Sequence, residues 1–202
     1  MLHTKESSMS RTSARLAAVA TAVVLATTGA ATSATAATPA TGSAVVNESN
    51  TFLINSLSAG VMVFALPTAT GSYDSATGLS AAFPVTGGSA NLPGYYGDVQ
   101  LGGGLLFINL RTGKTAVFKN LSFSVGTWQI TGVPQGGTTP VALLDPAGDT
   151  TVAGNAAAST LTASDLQVDE EGAKYLDTKL NTSFFTAGQS VGSLNLTFKA
   201  GS

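Results

Sequence analysis

Apolar and polar residues alternate along most of this chain, and the alternation is clearest between Leu101 and Ile130. Two apolar runs, Leu105–Leu110 and Thr115–Val125, flank Arg-Thr-Gly-Lys at 111–114. A short polar linker with a glycine between two such runs predicts a β-hairpin. In the second run Val117, Leu121, Phe123 and Val125 share one parity, and Ala116, Asn120, Ser122 and Ser124 share the other. A period of two puts the first set on a core and the second toward water. The first run is apolar on both faces, which predicts a strand near the middle of a sheet. A slip of one residue would turn either apolar set outward, so the register is well specified.

The same reading extends outward. Residues 37–49 are rich in Ala, Thr and Ser and read as a flexible lead-in. Thr51–Ile54, Val61–Leu66, Leu79–Val85, Thr127–Thr131, Val141–Leu144, Thr150–Val152, Thr160–Val168 and Val191–Phe198 are the further predicted strands. Pro67 closes the second of these, since proline cannot donate to a ladder. Gly71–Gly78, Gly87–Gly88, Leu92–Gly97 and Asp145–Asp149 read as loops or turns. Gly102, Gly103 and Gly104 lead into a strand rather than a helix, so a bulge or bend is expected there and not a phosphate cradle. From Asp169 the period changes: Ala173, Leu176 and Leu180 recur at helical spacing. Asp169 suits the N-cap, Glu170 and Glu171 the positive end of the dipole, and Asn181 the C-cap. Phe184 and Phe185 are expected to pack behind that helix. Short strands with Gly, Pro, Ser and Thr turns predict an all-β fold, an antiparallel β-sandwich or barrel with one short C-terminal helix.

The start of the chain reads differently. Arg11 and Arg15 precede the apolar run Leu16–Leu25, and Ala34-Thr35-Ala36 is a small-x-small cleavage pattern. Residues 1–36 are therefore a predicted signal peptide, with Met1 or Met9 as its start. The apolar run falls short of the ~20 residues a bilayer span needs. The expected organisation is a signal peptide at 1–36, a lead-in at 37–49 and a single β-domain at 50–202. Secretion, with release or cell-wall association, follows. No membrane span is expected after processing.

Processing would leave six of the nine bases and ten of the eleven acids, a net charge of −4. A weakly acidic chain without a basic cluster argues against nucleic-acid and anionic-membrane partners. There is no cysteine, and the single histidine, His3, lies in the leader. A Ser-His-Asp triad, a cysteine nucleophile and a His/Cys zinc site are thereby excluded from the mature chain. Asp165, Asp169, Glu170 and Glu171 cluster, and Asp145 and Asp149 flank Pro-Ala-Gly. Helix capping and turn formation account for them, and their spacing is not that of a calcium loop. No metal site is expected. Tyr95 and Tyr96 lie between Pro93-Gly94 and Gly97-Asp98. Adjacent aromatics in such a loop can stack on a sugar or, as phenolate, hold ferric haem iron; the plain alternative is one ring buried under the loop and one exposed. Trp128 is expected in the core or as a plug at a strand end.

The order of segments resembles a known family. AGVMVFALPTATG, AAFPVTGGSA, GDVQLGGGLLF, VFKNLSFSV and the closing LDTKLNTSFFTAGQSVGSLNLTF follow one another over residues 50–198. Together they resemble the haem-transport-associated, or Htaa-type, domains of secreted proteins in high-G+C Gram-positive bacteria. The resemblance implies a β-rich fold and an exported location. It also implies that haem-carrying members use a tyrosine near the domain start as iron ligand, supported by a histidine. Asn50–Leu66 holds no tyrosine and the mature chain no histidine, so no binding residue is carried over. If haem binds, Tyr95 or Tyr96 is the expected ligand.

Three functions compete on these grounds. The first is a non-catalytic extracellular module, structural or binding envelope proteins or glycan, with no cofactor. The second is a domain that holds haem or another hydrophobic ligand. The third, a glycan hydrolase, would need two acids facing across a cleft. The acids expected here sit in turns and caps.

Overall fold

The computed structural model describes residues 38–74 and 78–202, so the predicted signal peptide lies outside the described residues. The elements are β1 (Thr41–Glu48), α1 (Asn50–Ala59), β2 (Val61–Leu66), β3 (Thr70–Asp74), β4 (Gly78–Gly88) and β5 (Asp98–Asn109). They continue as β6 (Lys114–Ser124), β7 (Gln129–Pro134), β8 (Val141–Gly154), β9 (Ala158–Val168), α2 (Glu170–Leu180) and β10 (Ser190–Lys199). Every ladder is antiparallel. Eight strands close on themselves in the order β4-β5-β6-β7-β8-β9-β10-β1, with β1 returning to β4, while β2 and β3 are added outside that ring. Of the two architectures expected, the barrel is the one formed.

Interior positions follow the alternation on β10, where Leu194, Leu196 and Phe198 are buried and Asn195 faces outward; on β9 Leu161 and Ala163 are buried with Thr160 and Thr162 outward, and after a register shift the parity reverses to bury Leu166 and Val168. On β6 the pattern breaks. Ala116 and Phe118 are buried together with Leu121, Phe123 and Val125, and Val117 is only half-buried. The expected placing of Val117 on the core face is thus corrected. Asn120, at φ 50°, is the cause: the ladder to β7 slips there, and the extra residue reverses the parity of everything before it.

Four other expectations change. Thr41–Glu48 is not a lead-in but a barrel strand between β10 and β4, which moves the domain boundary from residue 50 to before residue 41. Thr51–Ile54 is not a strand but part of α1. Ser49 Oγ accepts from the Phe52 N–H at 3.1 Å, and Gly60, at φ 80°, ends the helix with its N–H on the Leu57 and Ser56 carbonyls. These caps outweigh the apolar run between them. Gly71–Asp74 belongs to β3, an edge strand on β4, rather than to a loop. Asp145–Asp149 is a bulge inside β8, with Gly148 at φ 67°, rather than a turn between two strands. The C-terminal helix forms where expected. Asp169 caps it by accepting from the Glu171 N–H at 2.7 Å, and Asn181 closes it in the left-handed region.

Candidate ligand-binding cavity

The glycine run of β5 is where the barrel wall opens. Up to Leu101, β5 pairs with β4; from Gly104 onward it pairs with β2. The change of partner needs residues without side chains. A Cβ on Gly104 would lie 2.3 Å from the Phe118 carbonyl oxygen, and one on Gly103, at φ 90°, 2.7 Å from that of Leu66. The expected bulge is present, with a register shift against β6 between Leu101 and Gly104. Thr68 and Ala69, linking β2 to β3, close over Gly102 and Gly103. Beyond that point β2 follows β5, β3 follows β4, and no ladder joins β2 to β3 among the described residues. The two free edges frame a slit.

Behind the slit lies a cavity of about 350 Å³. Its walls are almost wholly apolar: Ala44 and Val46 from β1, Phe83 from β4, Leu105 and Phe107 from β5, Leu121 from β6, Leu176 from α2. Helix α1 roofs it with Phe52, Leu53 and Leu57. An aromatic stack fixes that roof. Phe52 meets Phe184 at 5.7 Å between ring centroids, Phe184 meets Phe185 at 5.0 Å, and Phe185 meets Phe107 at 5.9 Å. The two phenylalanines therefore pack where the sequence placed them, and they also tie α2 to α1. Few polar groups reach the cavity. Ser56 donates to its own helix at the Leu53 carbonyl, 3.0 Å away. Glu48 lines the wall without an ion pair among the described residues, and burial pushes its carboxyl above the usual range.

Tyr95 and Tyr96 are elsewhere. They occupy the loop between β4 and β5, at the opposite end of β5 from the stretch that pairs with β2. Both rings are exposed, so neither is buried under the loop as the plain alternative required. Tyr95, at φ 58°, rests on Trp128 at 5.6 Å, and Trp128, at φ 62°, rests on the buried Phe123 at 5.4 Å. Trp128 is thus a half-buried plug at the β6–β7 turn. The Tyr96 hydroxyl accepts from Asn91 Nδ2 at 3.0 Å.

The acids serve as braces. Glu171 accepts from the Ala142 N–H at 3.0 Å, Glu170 pairs with Lys174 at 2.5 Å, and Asp165 accepts from Ser190 Oγ at 2.5 Å and Gln167 Nε2 at 2.7 Å. Asp145 and Asp169 lie side by side where α2 meets β8. Burial first, then the charge and hydrogen bond of Asp169, push the Asp145 carboxyl up to about 6. No group of three acidic or imidazole side chains able to hold a metal occurs among the described residues. No helix among them is long and apolar enough to cross a membrane.

Fold and cavity define a class: an eight-stranded antiparallel barrel with an apolar interior, a helical roof and one open seam. Eight strands leave room for packed side chains or for one small ligand. No protein-family model and no curated protein matches the chain. Among solved structures, the C-terminal domain of HtaA from Corynebacterium glutamicum matches 81% of this chain and 98% of its own length, with a TM-score of 0.54 and 12% identity. The haem-binding protein HtaB from the same organism matches 81% of this chain and 94% of its own length, with a TM-score of 0.44 and 12% identity. The chain thus has the fold of an Htaa-type domain, as the sequence resemblance implied.

Haem presents two flat apolar faces and an iron that takes an axial donor. The cavity wall is apolar. The donors differ from the pair implied by the resemblance: α1 holds no tyrosine, and no described residue is a histidine. Among the described residues the lining holds one carboxylate, Glu48, and neither a tyrosine nor a histidine; Tyr73, on β3, is exposed and outside it. Glu48 falls in the stretch expected to be a lead-in, which hid it.

Proposed function

We propose that this chain is an exported, non-catalytic binding domain that takes a flat hydrophobic ligand through the β2–β3 slit, haem being the first candidate. The observation that carries this reading is the apolar cavity of about 350 Å³ behind an unpaired seam. Ligand sites are typically ~300–1,000 Å³, apolar and few per protein, with a handful of polar groups to orient the ligand. The Htaa-type fold supports haem as the ligand to try first. A purely structural role leaves the open seam without a purpose, since closing β2 onto β3 would bury more apolar surface. Export rests on the N-terminal pattern of charged, apolar and small residues.

Titration with hemin tests the reading. A saturable Soret shift at micromolar protein is expected. Leu57→Asp should abolish it: Leu57 lines the mouth and is 49% exposed, so the fold tolerates the charge while the mouth does not. A flat Soret region, or a shift unchanged in Leu57→Asp, overturns the assignment.

A further inference from the structure

We infer that the ligand of this cavity is a flat apolar amine whose ammonium group sits against Glu48; the inference rests on the cavity being the binding site proposed above, not on haem as its occupant. Register turns Glu48 inward. Ala44 and Val46 of β1 pair with Phe83 and Ala81 of β4, and all four line the cavity. Inward positions on a strand recur every second residue, so Glu48 takes the next place in that row. It lines the cavity accordingly, and so does Leu79, two residues before Ala81 on β4. Helix α1 begins two residues after Glu48 and adds Phe52 and Ser56 to the same wall. Among the described residues of the lining, Glu48 alone can carry a charge.

A carboxylate so placed calls for a donor. Its side chain has no ion pair and no hydrogen bond among the described residues. The neighbouring elements offer the cavity only uncharged side chains: Leu79 and Ala81 from β4, Val191 from β10, Phe52 and Leu53 from α1. Burial already penalises its charge, and a cation beside it offsets that penalty. Ser56 makes the same demand. It is 2% exposed, and its proton is committed to the Leu53 carbonyl, so only its lone pairs are left for a ligand. The hydroxyl of Ser80 is already shared with that of Ser72. Two acceptors in an otherwise apolar wall select a ligand that donates. Haem's polar groups are carboxylates, which Glu48 would turn outward through the slit; a flat amine satisfies Glu48 as haem does not.

Probes that share one flat body and differ in headgroup decide it. Pyrenemethylamine, pyrenemethanol and pyrenecarboxylic acid are each titrated at neutral pH by pyrene fluorescence, beside hemin. The protein should bind the amine about tenfold or more tighter than the acid, with the alcohol between them. In Glu48→Gln the amine's advantage over the alcohol should vanish, while the alcohol's Kd stays within about threefold of the parent's. In Glu48→Lys the order should reverse, with the acid tightest. Glu48→Gln keeps the shape of the side chain, so it decides the matter even if Glu48→Lys does not fold. Equal affinities for all the pyrene probes overturn the inference. So does an amine preference that survives in Glu48→Gln, which would be the pull of the chain's net negative charge. Hemin binding without any pyrene binding overturns the inference and leaves the proposed function standing. Amine binding without hemin binding removes haem as the occupant and upholds the inference. If nothing binds, the cavity is no binding site and the inference falls with it.

Discussion

The arc β8-β9-β10-β1 and the pair β2 and β3 are written in the same alternating code and end in different states. On β9 and β10 the inward positions Leu161, Ala163, Leu166, Leu194, Leu196 and Phe198 are at most 3% exposed. On β2, Phe64 is 41% exposed, and every residue of β3 is exposed. The difference lies in partners. Strands β9 and β10 each pair on both sides, whereas among the described residues β2 pairs only with β5 and β3 only with β4. A strand with two neighbours has its inward side chains fenced in by the rows beside them. A strand with one neighbour leaves half that fence open. The closed arc holds most of the buried apolar side chains, and the open seam is where a ligand would enter under the proposed function.

The largest test of that division compares two phenylalanines. Phe118 is fully buried and meets Phe107 at 5.9 Å and Tyr175 at 5.3 Å. Phe118→Ala should lower the unfolding free energy by about 3–5 kcal/mol, the usual cost of a large core cavity. Phe64→Ala at the seam should cost less than about 1 kcal/mol, because its ring is already partly in water. Urea titration followed by Trp128 fluorescence reads both. Similar losses would mean that the seam is as integral to the fold as the closed wall.

Two glycines give a smaller contrast. Gly192 of β10, at φ 155°, would place a Cβ 1.9 Å from the Asn47 carbonyl oxygen, whereas one on Gly71 of β3 would meet only the Ser80 carbonyl oxygen, at 3.9 Å. Gly192→Ala should cost about 2 kcal/mol or more by parting β1 from β10. Gly71→Ala should fall within about 0.5 kcal/mol of the parent. Midpoints from the same titration rank them.

The smallest effect is one of pH, and it belongs to the closed arc. Burial and Asp169 raise the Asp145 carboxyl from 3.8 to about 6 in the folded chain. The folded state thus holds a proton that the unfolded state releases sooner. That contribution to stability is complete below 3.8 and is lost as pH climbs through about 6. The urea midpoint should therefore fall between pH 5 and pH 7.5, and Asp145→Asn should flatten the fall. An unchanged slope would detach Asp145 from the packing of α2 on β8.

Local pattern was enough to reveal much of this. The β5–β6 hairpin, the inward face of β10, and α2 with Asp169 and Asn181 at its ends follow from neighbours two to four residues apart, because alternation and capping act over that range. Ser49 and Gly60 carried the same signal for α1, and the apolar run between them masked it. The cavity was not legible. Tyr95 and Tyr96 stood out as adjacent aromatics, but adjacency says nothing about which end of a barrel a loop occupies.

The sequence by itself determined an antiparallel β-domain with its apolar faces, its glycine-marked bend and its capped C-terminal helix, since each depends on residues close along the chain. Only the tertiary structure decided that Gly102–Gly104 hands β5 from β4 to β2, that one extra residue at Asn120 reverses half of β6, and that β2 and β3 leave a seam open beside the apolar cavity. Each of those turns on which distant strand lies alongside, and strand pairing is set by the closure of the whole barrel rather than by any one stretch of it.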